Sequence, residues 1–315
     1  MTLHPTQARA FAPASVGNIG VGFDLLGHAI DGPRDIATVR LIQQPLVRVD
    51  AVRGRVRGIE DIPLEAAANT AGRALMALRE ALGLAHGFAI ELDKGIPLGS
   101  GLGGSAASCV AALVAANALL DAPLSREALY PFALEGEWAS THSRQGDNVG
   151  PMLVGGVALA TQTRLLRLDV PEWLHCVAVQ PDLVLETRRA RAVLSEPYPL
   201  PQVVAHSAHL AVFLTGLARA DAALIAEGLR DILVEPRRAP LIPGFAAVKQ
   251  AAMDHRALGA SISGGGPTCF AWFESRAEAE AATPAMVAGF NQAGCAAQAH
   301  VSPVAGPRAE LLGAD

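Results

Sequence analysis

Two rhythms of apolar and polar residues run along the chain, and each change of rhythm marks an element. Residues 9–14 read as a short strand, and residues 38–56 alternate closely enough to predict two hairpin strands. Residues 63–84 carry the spacing of an amphipathic helix, with Asn69 inside it, and residues 88–92 read as a strand. The Ala-rich residues 105–117 are strongly helical. Residues 125–141 predict a helix with Ser125 as N-cap, and residues 152–160 an apolar strand. A linker near Val170-Pro171 leads to a second domain. There, residues 176–185 read as a strand, followed by a helix capped by Thr187 and by helices over 202–218 and 221–229. A loop with three prolines spans 231–245, and a helix covers 246–258. Residues 259–273 read as strand, glycine turn, strand; residues 277–293 as a last helix; and the tail from Pro303 as poorly ordered.

The other elements are arranged around one stretch, Pro97-Leu98-Gly99-Ser100-Gly101-Leu102-Gly103-Gly104-Ser105-Ala106-Ala107-Ser108, which feeds the Ala-rich helix. A glycine loop at a helix N-terminus is a natural anion site. Backbone N–H groups point outward, the helix dipole favours negative charge, and absent side chains admit a phosphate. Ser100, Ser105 and Ser108 add hydroxyl donors or metal ligands. Gly99, Gly101 and Gly104 fit the dinucleotide spacing G-x-G-x-x-G. That pattern should close the first strand of a βαβ unit, however, and Pro97 just before the loop is poor in a parallel strand. A Walker loop needs Lys and then Ser or Thr after its last glycine. Here Ser105 follows Gly104 directly, and the only lysines are Lys94 and Lys249. The third reading is a phosphate loop without a lysine. A tight turn onto a buried helix is the alternative, and three glycine–hydroxyl clusters in one chain weigh against it.

The first of the other clusters runs from Pro13 to Gly27, where Asn18 and Asp24 are the only strongly polar side chains. Two small polar groups on a glycine-rich loop suit a ligand hydroxyl or ammonium, although both also cap turns well. The last cluster, Ser261 to Thr268, carries a triple glycine able to close against the phosphate loop. Glu137 falls beside the apolar stripe of Leu129, Phe132, Ala133 and Gly136. A half-buried carboxylate needs a cation or hydrogen bonds, so a metal serving phosphates and a salt bridge to an arginine are both open. Asn69, mildly unfavourable in mid-helix, either serves a ligand or is solvated. Gln145 to Pro151 is a polar turn. Thr187 and Arg191 share a helix face, and guanidinium binds carboxylate or phosphate bidentately. Arg188 and Arg189 also fit a solvated charge cluster. Arg237 and Arg238 are the strongest recognition groups of the proline loop. His206 and His209 share a face with no further metal ligand nearby and read as packing residues.

With 315 residues the chain has material for two domains and an ample core. The net charge of −5 argues against general nucleic-acid binding, and leaves any anionic ligand to local groups. The four cysteines are scattered, as small buried hydrophobes in a reducing compartment would be. The first ten residues have no apolar core of a signal peptide, and the apolar run after Ser105 is too short to cross a bilayer. A cytoplasmic location without membrane contact is therefore expected.

Three glycine motifs in this order and at these separations resemble the GHMP small-molecule kinases, over nearly the whole chain. The stretches 13–27, 231–245 and 261–268 narrow the resemblance to members that phosphorylate L-homoserine on the way to threonine. The resemblance implies a two-domain α+β fold, with an N-terminal βαβ-type nucleotide-binding domain over 1–168 and a C-terminal ferredoxin-like α/β sandwich over 169–315. It implies ATP and Mg²⁺ as cofactors, a small-molecule substrate and a homodimer. By motif position, Pro97 to Ala107 would wrap the triphosphate, Ser105 and Glu137 would hold Mg²⁺, and Asn69 would lie near the adenine. The substrate would be met by Asn18, Asp24, Gln145, Asn148, Thr187, Arg191 and Arg238, with Glu137, Ser105, Arg191 and Asn148 closest to the chemistry. A sister kinase acting on mevalonate or shikimate, or a binding protein that keeps the fold without catalysis, is the alternative. This chain departs from the family pattern at four places: Gly104 for Ser, Gln145 for His, Arg237 for Tyr and Val21 for Pro. No His is placed as a general base, and Asp147 is the nearest candidate.

Overall fold

In the computed structural model, residues 6–313 are described. The first half of the chain carries β1 (Gln7–Gly17), β2 (Leu26–Ile42), β3 (Val47–Gly54), α1 (Thr70–Ala81) and β4 (Gly87–Lys94). It continues with α2 (Gly104–Asn117), α3 (Tyr130–Thr141), α4 (Val149–Val154), β5 (Val157–Ala160) and β6 (Leu165–Leu168). The second half carries β7 (His175–Pro181), α5 (Thr187–Ala192), α6 (Leu200–Arg219), α7 (Ala222–Gly228), α8 (Glu235–Arg238) and α9 (Phe245–Asp254). It ends with β8 (Gly259–Ile262), β9 (Cys269–Phe273), α10 (Arg276–Gln292), β10 (Ala297–Pro303) and β11 (Glu310–Leu312).

The first sheet has the order β11-β1-β2-β4-β3, with β5 added to β2 and β6 to β5. The second has the antiparallel order β10-β7-β9-β8. Numbered from β7, that is the order of a ferredoxin-like βαββαβ unit, with α9 and α10 as its helices. The fold is thus α+β. Helix α2 explains how the first sheet is covered. From Ala106 to Ala116 every residue is buried, against β1 and β2 on one side and α1 and α3 on the other. A helix apolar all round belongs in a core, and its alanines let the neighbouring elements approach closely.

Several sequence expectations change here. Residues 38–56 do not form a hairpin: β3 lies parallel to β4, which inserts between β2 and β3. Alternation alone cannot say which strand is the partner. The helix expected over 63–84 begins only at Thr70, because Asn69 is its N-cap rather than an interior residue. The Asn69 carboxamide accepts from the backbone N–H of Ala71 and Gly72 and donates to the Pro63 carbonyl. Ser125 caps a turn at Ala128, and α3 proper starts five residues later, at Tyr130. Met152 to Val154 are helical, not strand, and a Gly155-Gly156 turn separates them from β5. Thr187 is the first residue of α5, and Glu186 holds the cap position. As far as residue 313 the tail is ordered: β11 returns to the first sheet and pairs with β1.

The two halves share one hydrophobic core, in which Phe213, Phe270 and Trp272 pack with residues of the first sheet. At this junction the fully buried His28 donates from Nδ1 to the Ala29 carbonyl at 3.1 Å. Its Nε2 accepts the Trp272 indole N–H at 3.2 Å. Burial lowers its pKa from 6.5 to about 4, with the Ala29 bond opposing. The unfolded chain therefore takes up a proton that the folded one refuses. The contribution is fully present above pH 6.5 and is lost as pH falls from 6.5 toward about 4. The loss amounts to about 3 kcal/mol. We expect the melting temperature to fall over that interval and to fall less steeply in His28→Gln, which keeps an acceptor but does not titrate. Equal slopes for the two proteins would exclude His28 as the cause.

Candidate active site

The three glycine clusters converge on one cleft at the junction of the halves. Gly264 N–H donates to the Gly17 carbonyl at 3.0 Å, and the Ser263 hydroxyl to the Gly101 carbonyl at 2.7 Å. Ser15 N–H reaches the Leu102 carbonyl, and Leu185 N–H reaches the Gly99 carbonyl, each at 3.1 Å. The triple glycine thus does close against the phosphate loop. The cleft between these turns has a volume of about 230 Å³.

Its floor is the loop Pro97 to Ser105. Gly101 and Gly103 have φ of 81° and 71°, in the left-handed region that L side chains rarely adopt. A Cβ on Gly101 would lie 2.6 Å from the Ser263 carbonyl oxygen; on Gly103 it would lie 2.6 Å from the Ser15 hydroxyl. Gly103 is the N-cap of α2 and offers no side-chain cap, so the helix's first N–H groups face the cleft without a side-chain acceptor. An anionic ligand completes them. The loop residues Pro97, Leu98, Gly99, Ser100, Gly101, Gly103, Gly104 and Ser105 line the cleft. Leu102, Ala106 and Ala107 do not: their side chains are buried in the core.

Beside the loop sit two buried carboxylates. The Ser105 hydroxyl donates to Glu137 Oε1 at 3.2 Å. Burial first, and the Asp147 charge second, push the Glu137 pKa up to about 7, against the Ser105 bond and the Lys94 charge. Asp147 is likewise pushed up to about 7, by burial and then by Asp24, with Arg191 opposing. Arg73 of α1 and Arg144 of the loop after α3 pair with Glu135.

The opposite wall is set by arginines. Arg191 makes a two-pronged bond to Asp24, Nη2 to Oδ1 at 2.9 Å and Nη1 to Oδ2 at 3.2 Å. Gln145 donates to the same Asp24 Oδ2 at 2.9 Å. Arg238 is buried and donates to the carbonyls of Ala190 and Gly264. Both guanidinium groups lie within 6 Å of the Phe23 ring, at 5.6 Å for Arg191 and 5.2 Å for Arg238. Burial, and then the neighbouring Arg191 charge, lower the Arg238 pKa. Two cations brought this close favour an anion between them, and the buried Arg191 Nε has no hydrogen-bond partner among the described residues. Asn18 is engaged at both ends, accepting from Asp24 N–H and donating to the Gly264 carbonyl. Its left-handed backbone, shared with Asp24, holds the turn that presents the Asp24 carboxylate. Asn148 accepts from the Ser15 hydroxyl at 2.8 Å, and Thr187 lines the cleft.

Asn69 is outside the cleft lining. Capping occupies its carboxamide oxygen and one of its two N–H bonds, which leaves one N–H for a ligand. Arg237 turns away: it stacks on Tyr198 at 3.7 Å and donates to the carbonyls of Glu196 and Pro197. Gly265 of the triple glycine lines the cleft, as does Ser140, which the sequence does not single out. A serine at the end of a helix carries no signal of its own. Asp35 was also missed, although it lies buried beneath the loop with Lys94. Its one sequence signal is that Lys94, its partner, is one of only two lysines and immediately precedes the loop.

Comparison with known proteins agrees with this geometry. Residues 69–156 match the GHMP kinases N terminal domain, and residues 213–292 the GHMP kinases C terminal domain. The chain is 58% identical to a homoserine kinase of Xanthomonas campestris pv. campestris over 97% of this chain and 94% of that protein. It is 39% identical to one from Chloroherpeton thalassium over 89% of this chain and 91% of that protein. The crystal structure of a homoserine kinase from Cytophaga hutchinsonii superposes with a TM-score of 0.93 at 37% identity, covering 99% of both chains. The chain belongs to the GHMP kinases, in their homoserine kinase branch. Mevalonate kinase of L. major, at 14% identity and a TM-score of 0.67, shares the fold.

Proposed function

We propose that this chain transfers a phosphoryl group from ATP to the side-chain hydroxyl of L-homoserine, giving O-phospho-L-homoserine. The observation that carries the reading is the joining, in one cleft, of a phosphate loop with a carboxylate and two guanidinium groups. The loop takes the nucleotide. On the facing wall, Arg191 and Arg238 suit a carboxylate, and Asp24 suits an ammonium. An amino-acid alcohol supplies both, while mevalonate and shikimate lack the amine. The ion pair between Asp24 and Arg191 opens on binding, and only a zwitterion gives each of them a new partner.

Ser105 and Glu137 fit Mg²⁺: they are hard oxygen donors at the phosphate loop, and Glu137 lies beside a second buried carboxylate. When bound, Mg²⁺ neutralises charge on the phosphate oxygens. The chain's own groups do the remaining work. Backbone N–H groups of Gly103, Gly104 and Ser105, with Arg191, stabilise charge that develops in the transition state. Phosphoryl transfer passes through a loose transition state, so the hydroxyl needs alignment more than it needs a strong base. Asp147, with a pKa of about 7, is the nearest proton acceptor. Asn148, held by Ser15, and Gln145, held on Asp24, line the same wall and fix its shape. We assign residues 1–168 to the nucleotide half and 169–315 to the half that completes the substrate wall, with β11 lent back to the first sheet. On the family resemblance the assembly is a homodimer and the compartment the cytoplasm.

Incubation with ATP, Mg²⁺ and L-homoserine should give O-phospho-L-homoserine, identified by phosphorus NMR; ATP hydrolysis with no phosphoester would refute the reading. Removing the charge of Asp24 leaves the ammonium unpaired, a cost of about 1–3 kcal/mol. Asp24→Asn should therefore raise KM for homoserine about tenfold and leave KM for ATP unchanged. Steady-state kinetics decides; a rise in KM for ATP alone would move Asp24 to the nucleotide.

A further inference from the structure

Behind the phosphate loop, on the side away from the cleft, lies a buried polar cluster that the reaction scheme above does not use. Asp35 comes from β2, Lys94 from the end of β4, and Ser108 from the second turn of α2. All three are buried. Lys94 Nζ donates to Asp35, to the Gly104 carbonyl at 2.6 Å and to the Ser108 hydroxyl at 2.8 Å. The ammonium's three N–H bonds are thereby used. Asp35 Oδ1 accepts the backbone N–H of Gly95 at 3.0 Å and of Ile96 at 3.1 Å. Its Oδ2 receives Lys94 and the Ser108 hydroxyl, the latter at 2.8 Å.

The partners of this cluster are the two ends of one loop. Asp35 grips the backbone where the chain leaves β4, and Lys94 grips the carbonyl where it joins α2. Between these points the loop's internal bonds are Ser100 to the Pro97 carbonyl and Leu102 N–H to the Ser100 hydroxyl, and its carbonyls at Gly99, Ser100, Gly101 and Leu102 accept from Leu185, Thr268, Ser263 and Ser15. A buried ion pair is a poor device for stability, because desolvation consumes most of its Coulomb gain and apolar residues of similar volume do as well. What it supplies is fixed geometry. The loop carries no lysine of its own, and its ligand contacts are backbone N–H groups, whose usefulness depends on where the backbone is held.

We propose that Asp35, Lys94 and Ser108 are positioning residues that clamp both ends of the phosphate loop and so set the geometry of the nucleotide site. The proposal rests on the reading of residues 97–107 as that loop. None of the three touches the cleft; they act through Gly95, Ile96 and Gly104.

The test compares the unsubstituted protein with Lys94→Met, which keeps the length of the stem, and Ser108→Ala, which leaves the ion pair in place. Mg-ADP binding is measured by calorimetry, KM for homoserine and for ATP by steady-state assay, and folding by circular dichroism. Lys94→Met should bind Mg-ADP about tenfold or more weakly, and Ser108→Ala about threefold, as loss of charged and neutral hydrogen bonds implies. KM for homoserine should stay within about twofold of the unsubstituted value, and Ser108→Thr, which restores the hydroxyl, should recover nucleotide affinity. A folded Lys94→Met with normal Mg-ADP affinity overturns the proposal. So does a parallel loss of both ligands, which marks a general structural role. Where Lys94→Met fails to fold, Ser108→Ala decides by the same criterion. An unsubstituted protein that does not bind Mg-ADP would instead sink the phosphate-loop reading.

Discussion

Glu137→Gln should lower kcat by roughly a hundredfold or more, the scale of a lost electrostatic contributor at a reacting centre, with the fold unchanged. The substitution keeps the volume of the side chain and the helix that carries it. The Ser105 hydroxyl can still donate to the carboxamide oxygen, as it does to Glu137 Oε1. What disappears is one of two buried negative charges beside the phosphate loop. Because burial and then the Asp147 charge raise the Glu137 pKa, removing the Glu137 charge relieves a desolvation cost and a repulsion, and stability should hold or rise slightly. Loss of activity with retained or increased melting temperature is therefore the signature of a metal-holding carboxylate. Activity within a few fold of normal at saturating Mg²⁺ would take Glu137 out of the site.

Gly103→Val should abolish nucleotide binding. Valine at φ of 71° is a backbone outlier, costing about 1–3 kcal/mol. Its Cβ would also stand 2.9 Å from Asn148 Oδ1 and from the Met152 methyl, a crowding worth another 1–3 kcal/mol or so. The loop relieves both by leaving its present path, which misplaces the N–H groups at the start of α2. We expect Mg-ADP affinity to fall by roughly a hundredfold or more while circular dichroism keeps its native form. Normal affinity in this variant would show that the nucleotide does not approach the loop.

How far the sequence reveals this arrangement depends on the range of the signal. The phosphate loop is legible because its information is local: glycines, hydroxyls and an Ala-rich helix follow one another directly. Arg191 and Arg238 can be singled out as arginines in unusual settings, but not as neighbours, since 47 positions separate them and Phe23 brings them together only in the fold. The pairing of Asp24 with Arg191 is equally invisible, and it recasts two separate ligand groups as a self-satisfied pair. Asn69 shows how an element boundary changes a reading: inside a helix it is mildly unfavourable, whereas at the N-cap its carboxamide accepts from Ala71 and Gly72 and donates to Pro63. The β3 strand shows the limit of periodicity, which predicts a strand but not that β4 will insert beside it. Gln145, which stands where the family resemblance places His, supports Asp24 by a neutral hydrogen bond. It therefore keeps a positioning task without any acid–base one.

A cleft that pairs a phosphate loop with a wall built for an amino-acid zwitterion should accept only an alcohol that carries an amine. A coupled ADP-release assay tests it directly, run with ATP and Mg²⁺ against L-homoserine, mevalonate, shikimate and no acceptor. Rapid release is expected with homoserine, and near-background release with the other three. Equal or faster release with an alcohol that lacks the amine would contradict it.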